Sequence, residues 1–271
     1  MTDLNDRQSP VFLEKVGPIG RLVLNRPEKR NAMSEAMWAS IPGAVARLDA
    51  DPDVRVIIVC SSTEKAFSAG ADIAELEQIA TSPERQESNR LAIREAQRTL
   101  ARAKKPTIAQ VAGACMGGGC GLAIHCDMRF AANTARFAIT PAKLGLIYPL
   151  NDTKQLMDLV GPAKAKSMLF TGRVVDADEA LRIGLVDELF SLDELTERTQ
   201  AFAQQIAQVS QYSVRGIKQT IRLILDGQHD DDDQTAQMFK DAHTAEDATE
   251  GVRAFLEKRS PAFRWNGGSE A

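Results

Sequence analysis

Two apolar runs in this chain end in small-residue segments of matching design. Val56-Ile57-Ile58-Val59-Cys60 leads to Ala66-Phe67-Ser68-Ala69-Gly70-Ala71-Asp72-Ile73, and Thr107-Ile108-Ala109-Gln110-Val111 leads to Met116-Gly117-Gly118-Gly119-Cys120-Gly121. Short apolar runs bounded by turn residues read as buried strands. The Gly and Ala that follow let a backbone N–H approach a ligand closely, and a helix N-terminus adds partial positive charge. Strand, close turn and helix in succession, with connections long enough for crossovers, restrict the first two-thirds of the chain to an α/β architecture. Two N–H groups converging from such turns would make an oxyanion hole, which stabilises an enolate or a tetrahedral anion.

The flanking sequence fits this frame. Val11–Val16 and Ile19–Leu24 read as strands joined by Gly17-Pro18. Ser34 is expected to cap a helix with Met37, Ile41, Val45 and Leu48 on one face, which Pro42 should disturb. A long polar helix is expected from Glu84 to Ala103, and further helices over 163–170, 177–183, 192–208, 214–225 and 235–258, with a strand near 185–189. The organisation predicted is an α/β core over 1–200 and a helical region over 201–271.

Composition limits the function classes. The 271 residues carry 33 Lys and Arg against 37 Asp and Glu, a net charge of −4, which argues against a general nucleic-acid binder. The basic cluster Arg98–Lys105 reads as a solvated helix end, and His229–Asp233 as a solvated loop and helix cap. No apolar run approaches the length of a membrane span, and the first residues lack the apolar stretch of a signal peptide. The four cysteines read as buried free thiols rather than metal ligands, so no metal site is expected and the predicted location is cytoplasmic. His125 reads as a core histidine, and Ser68 lacks the Gly-x-Ser-x-Gly elbow of a serine hydrolase.

A series of motifs in order resembles the crotonase superfamily, the enoyl-CoA hydratases and isomerases. It comprises Leu24-Asn25-Arg26-Pro27-Glu28-Lys29-Arg30-Asn31-Ala32-Met33, Phe67–Ile73, Gly117-Gly118-Gly119 and Lys143-Leu144-Gly145-Leu146. It continues with Thr171-Gly172-Arg173, Ala180–Val186, Glu246-Asp247, Glu250-Gly251 and Phe255–Arg259. The resemblance covers nearly the whole chain. It implies a crotonase-like spiral of ββα units, a helical C-terminal trimerisation region, and a homotrimer or dimer of trimers. It also implies an acyl-CoA substrate, with coenzyme A as part of that substrate and no separate cofactor. By position it assigns the oxyanion hole to the N–H groups of Ala69 and Gly118. Ala71, Asp72 and Ile73 are assigned to the adenine and pantetheine pocket, Arg26 and Arg30 to the CoA phosphates, and Phe255 and Lys258 to the CoA edge.

Hydratases of the superfamily carry two catalytic glutamates, and the matching positions here hold Gly121 and Pro141. Hydration needs one group to activate water and another to protonate the α-carbon, whereas enolate stabilisation survives without either. Thr140–Tyr148 also resembles methylmalonyl-CoA decarboxylases of the superfamily, in which a tyrosine lies near the reacting carboxylate; the counterpart is Tyr148. The histidine those enzymes carry is Ala71 here. Asp152 is a candidate relocated acid/base, or the cap of a helix starting at Thr153. Tyr148 is a catalytic hydroxyl or a packed tyrosine. A hydratase or isomerase, a decarboxylase and a non-catalytic acyl-CoA-binding protein all remain compatible with the sequence.

Overall fold

The computed structural model describes residues 4–267. The chain alternates between two sheets. In the first sheet, β1 (Val11–Val16), β2 (Ile19–Leu24) and β3 (Val56–Ser61) are followed across by β5 (Thr107–Val111), β7 (Met128–Ala132) and β10 (Glu188–Phe190). The second sheet has the order β4 (Ala66–Ser68), β6 (Ala114–Met116), β8 (Arg136–Ala138) and β9 (Val175–Asp176). The pairs β3/β4, β5/β6 and β7/β8 each place one strand in each sheet, and the connecting helices return the chain for the next pair. Pairing within these repeats is parallel, while β1–β2 and β8–β9 are antiparallel. This is the expected spiral of ββα units.

α1 (Glu35–Ala50) is capped by Ser34, whose Oγ accepts from Met37 N–H. Pro42 does not interrupt it: the face formed by Met37, Trp38, Ile41, Ala44, Val45 and Leu48 is buried, and this packing offsets the roughly 3 kcal/mol that an internal proline costs. α2 (Ile73–Ile79) and α3 (Pro83–Ala101) follow β4, and α3 packs along α1. α4 (Gly118–Ile124) starts directly at the second glycine turn. α5 (Leu150–Thr171) is one expected helix extended backwards, with a break at Gly161, where φ is +74°. α6 (Ala177–Arg182) precedes β10.

α7 (Leu192–Gln208) matches the expected span and covers the outer face of the first sheet through Leu195, Ala203 and Ala207. The boundary expected at residue 200 lies within α7, and α8 (Gln211–Leu225) follows it. The single helix expected over 235–258 is two, α9 (Asp233–Thr244) and α10 (Glu246–Glu257). Ala245, extended at φ −62° and ψ 146°, is both the end of one and the start of the other. Asp232 closes a capping box with Thr235, in line with the loop-and-cap expectation. All four cysteines are free and buried. Among the described residues no helix is long and apolar enough to cross a membrane, and no His/Cys/Asp/Glu group is placed to hold a metal.

Candidate active site

The two glycine turns meet at the mouths of β4 and β6. A Cβ on Gly70 would stand 3.1 Å from Met116 O, and one on Gly119 would be driven into Ser68. Only glycine permits this contact, which explains the small residues read from the sequence. Fully buried Asn31 pins the first turn: its Nδ2 donates to Ala66 O at 3.0 Å, and its Oδ1 accepts from Arg26 N–H at 2.7 Å. Ser68 Oγ donates to Asn31 O at 2.7 Å and accepts from Gly70 N–H at 3.2 Å. Ser68 is thus a buried structural hydroxyl.

The hydrogen bonds of this turn correct one assignment. Ala69 N–H donates to Arg30 O at 2.9 Å, so it is not free to hold an oxyanion. Ala71 lies two residues on, between a Gly70 carbonyl that accepts from Met33 N–H and an Asp72 N–H that donates to Met33 O. Among the described residues its own N–H meets no backbone acceptor. Gly118 N–H is the first of α4 and has no partner within the helix. Among the described residues Ala71 and Gly118 thus each offer a free N–H, one from each turn.

One helical turn beyond Gly118, polar side chains from three segments converge on Gly121. A Cβ there would lie 2.8 Å from Gln97 Nε2, 3.1 Å from the Tyr148 hydroxyl and 3.7 Å from Asp152 Oδ1. Asp152 is 2% exposed and sits in the first turn of α5. The helix begins at Leu150 with Pro149 at its cap position, so Asp152 does not cap a helix starting at Thr153. Burial raises the Asp152 carboxyl to about 7, against a smaller opposing effect of its hydrogen bond with Gln97. The Tyr148 hydroxyl is buried with no hydrogen-bond partner among the described residues, and burial followed by the Asp152 charge pushes its pKa up. His125 is the core histidine expected. Its Nδ1–H donates to Gly121 O at 2.6 Å, and burial lowers it to about 4, leaving the ring neutral at pH 7. That same nitrogen is 3.7 Å from Asp152 Oδ1. Pro141 opens a single turn of 3-10 helix, Pro141–Leu144, and supplies no acid.

The CoA candidates separate. Arg26 is tied down: it donates to Ala32 O at 2.8 Å and pairs with Asp72 at 3.0 Å. Asp72 in turn caps α2 by accepting from Ala74 N–H at 3.1 Å. Both hold the turn's shape rather than offering a free charge. Arg30 is exposed beside the same turn, in the left-handed region at φ +50°. Ala71 is half-buried and Ile73 is 64% exposed next to it, so both can line a ligand groove. Phe255 and Lys258 stand exposed at the end of α10, which packs on α9.

Comparison with known proteins agrees with this architecture. The profile of the family described as Enoyl-CoA hydratase/isomerase matches residues 14–266. The chain belongs to the enoyl-CoA hydratase/isomerase family. It is similar to the crotonyl-CoA hydratase of Syntrophomonas wolfei, at 36% identity over 257 residues, covering 93% of this chain and 97% of that protein. It is also similar to the (E)-benzylidenesuccinyl-CoA hydratase of Thauera aromatica, at 33% identity over 258 residues, covering 94% and 99%. The crystal structure of an enoyl-CoA hydratase/isomerase family protein from Hyphomonas neptunium superposes with a TM-score of 0.92 at 42% identity, covering 94% and 98%. The crotonase fold and an acyl-CoA enzyme of the lyase or isomerase type follow from this membership. Within that family frame, the residue that sequence reasoning passed over is Gln97. It reads as one polar residue on a polar helix, and only its burial on α3 between Ala96 and Leu100 sets it apart.

Proposed function

We propose that this family member moves a double bond in an acyl-CoA thioester, converting a 3-enoyl to a 2-enoyl thioester with Asp152 as its single acid/base. The carrying observation is one buried carboxyl, raised to about 7, standing where the hydratases' glutamate is replaced by Gly121. A carboxylate at C2 removes a proton, and the thioester oxygen takes up negative charge as a dienolate. The N–H groups of Ala71 and Gly118 hold that oxygen, each such donor being worth about 10²–10³ in rate. The Asp152 carboxylic acid then returns the proton at C4. One group suffices because it is regenerated, whereas hydration needs water activated and a carbon protonated together. A pKa near 7 suits a group that must act as base and then as acid at neutral pH. Exposed Arg30 provides charge for the CoA phosphates. Apolar residues exposed on α8, α9 and α10, among them Ile217, Ile221, Phe239 and Val252, support burial between copies in a trimer.

A second reading, loss of CO₂ from a malonyl- or methylmalonyl-type thioester, draws on the unpartnered buried hydroxyl of Tyr148. It needs no base, because CO₂ leaves with its bonding electrons remaining as the enolate. One assay separates these readings: turnover of a 3-enoyl-CoA, crotonyl-CoA, malonyl-CoA and methylmalonyl-CoA by the same preparation. Isomerisation exceeding crotonyl-CoA hydration by at least about 10² supports the proposal. CO₂ release without isomerisation moves the assignment to Tyr148, and dominant hydration refutes both.

A further inference from the structure

The helix α3 buries only three residues, Ala96, Gln97 and Leu100, and one of them is an amide. A primary amide at 1% exposure is costly unless its polar atoms are satisfied. Its oxygen is satisfied within the site. Asn151 Nδ2 donates to Gln97 Oε1 at 3.2 Å, which turns the other end of the amide, Nε2, toward Gly121 and Asp152. Asn151 Nδ2 also reaches Asp152 Oδ1 at 3.5 Å, so one asparagine fixes both members of the pair. The space next to Gly121 is taken by this amide: a Cβ at 121 would lie 2.8 Å from Gln97 Nε2. A glutamate at 121 and the Gln97 amide are alternatives for the same space.

We infer that Gln97 is a positioning residue that occupies the place of the absent side chain at 121 and holds the Asp152 carboxyl oriented toward the acyl group. The inference rests on the reading of Asp152 as acid/base. An N–H donated to a carboxylate favours its ionised form, so Gln97 keeps part of Asp152 available as base at neutral pH against the burial that would protonate it. The other groups facing Asp152 do not take over this role. His125 from the end of α4 is neutral, and burial keeps the Tyr148 hydroxyl protonated. Arg222 of α8 faces His125 and helps to keep that ring uncharged.

The test is Gln97→Leu, with Gln97→Glu as a shape-preserving second variant, in the full-length protein. Two readouts are followed against pH: kcat/KM for a 3-enoyl-CoA, and the Asp152 carboxyl carbon by NMR, assigned by its loss in Asp152→Asn. Loss of a hydrogen bond to a charged group moves a titration by about one pH unit or more. The rising limb of kcat/KM and the carboxyl midpoint should therefore both shift upward, with activity regained near pH 9 in Gln97→Leu. In Gln97→Glu the added negative charge shifts the midpoint upward as well. An unmoved carboxyl midpoint in either folded variant overturns the inference, and so does a uniform loss of activity at every pH. If Asp152→Asn retains full activity while the Gln97 variants still move the carboxyl midpoint, the acid/base reading fails and the positioning contact stands.

Discussion

The backbone half of the site and its side-chain half are built by different means. The N–H groups of Ala71 and Gly118 come from two local turns, each coded by a few consecutive small residues and held by neighbours such as Asn31 and Ser68. The acid/base half draws Gln97 from α3, Tyr148 from the loop before α5, and Asp152 from the first turn of α5, around a residue with no side chain at all. In the proposed reaction the first half stabilises the enolate and the second decides which bond changes. Substitutions that separate the halves should therefore have separable effects.

The largest effect expected is on stability. Asp152 titrates near about 3.9 when unfolded and at about 7 in the fold. The folded state thus binds the extra proton between those values, and stability falls as pH rises through that window. Fully ionised, the burial costs on the order of 4 kcal/mol. Asp152→Asn should raise the unfolding free energy at pH 8 by a sizeable part of that amount and leave it nearly unchanged at pH 3.5, as followed by chemical denaturation. Equal effects at both pH values would remove Asp152 from its buried, ionisable role.

Next in size is the backbone half. Gly118→Pro deletes one donor and should lower kcat by about 10²–10³ without moving the pH dependence. A Cβ at 118 would stand 3.0 Å from the Trp38 ring, so the proline is best read in a Trp38→Phe background that gives it room. A folded variant with unchanged kcat would displace the oxyanion hole. The smallest effect is expected at Tyr148. Its hydroxyl has no partner to lose among the described residues, so Tyr148→Phe should change stability by less than about 1 kcal/mol and isomerisation by about tenfold or less. A loss of CO₂ release by one to two decades instead, measured on malonyl-CoA, would transfer the chemistry to that hydroxyl.

The same division explains what the sequence made legible. Strand runs, the Ser34 and Asp232 caps and the limits of α7 are written in adjacent residues, and the structure places them as read. Which amide of the first turn is free was not legible, because Ala69 N–H is taken by a carbonyl at Arg30, far back in the chain. Lys105 misled in a similar way. It belongs to a basic cluster that reads as solvated, yet it is 1% exposed, with Nζ donating to Leu48 O and Asp51 O at the end of α1. Burial lowers its ammonium to about 8. Gln97 gave no signal beyond its place on the buried stripe of α3, since its partners lie some fifty residues downstream. The break at Ala245 carries neither glycine nor proline and needs only one extended residue.

The central claim is that one relocated carboxyl does the acid/base work that two glutamates do in the hydratases. Its most direct test is kcat/KM for a 3-enoyl-CoA against pH, with the wild-type chain and Asp152→Asn measured side by side. The wild type should rise through a single limb with its midpoint near about 7, and Asp152→Asn should be lower by about 10²–10⁴ and lack that limb. A limb near 7 that persists in Asp152→Asn, at comparable activity, would place the acid/base on another residue.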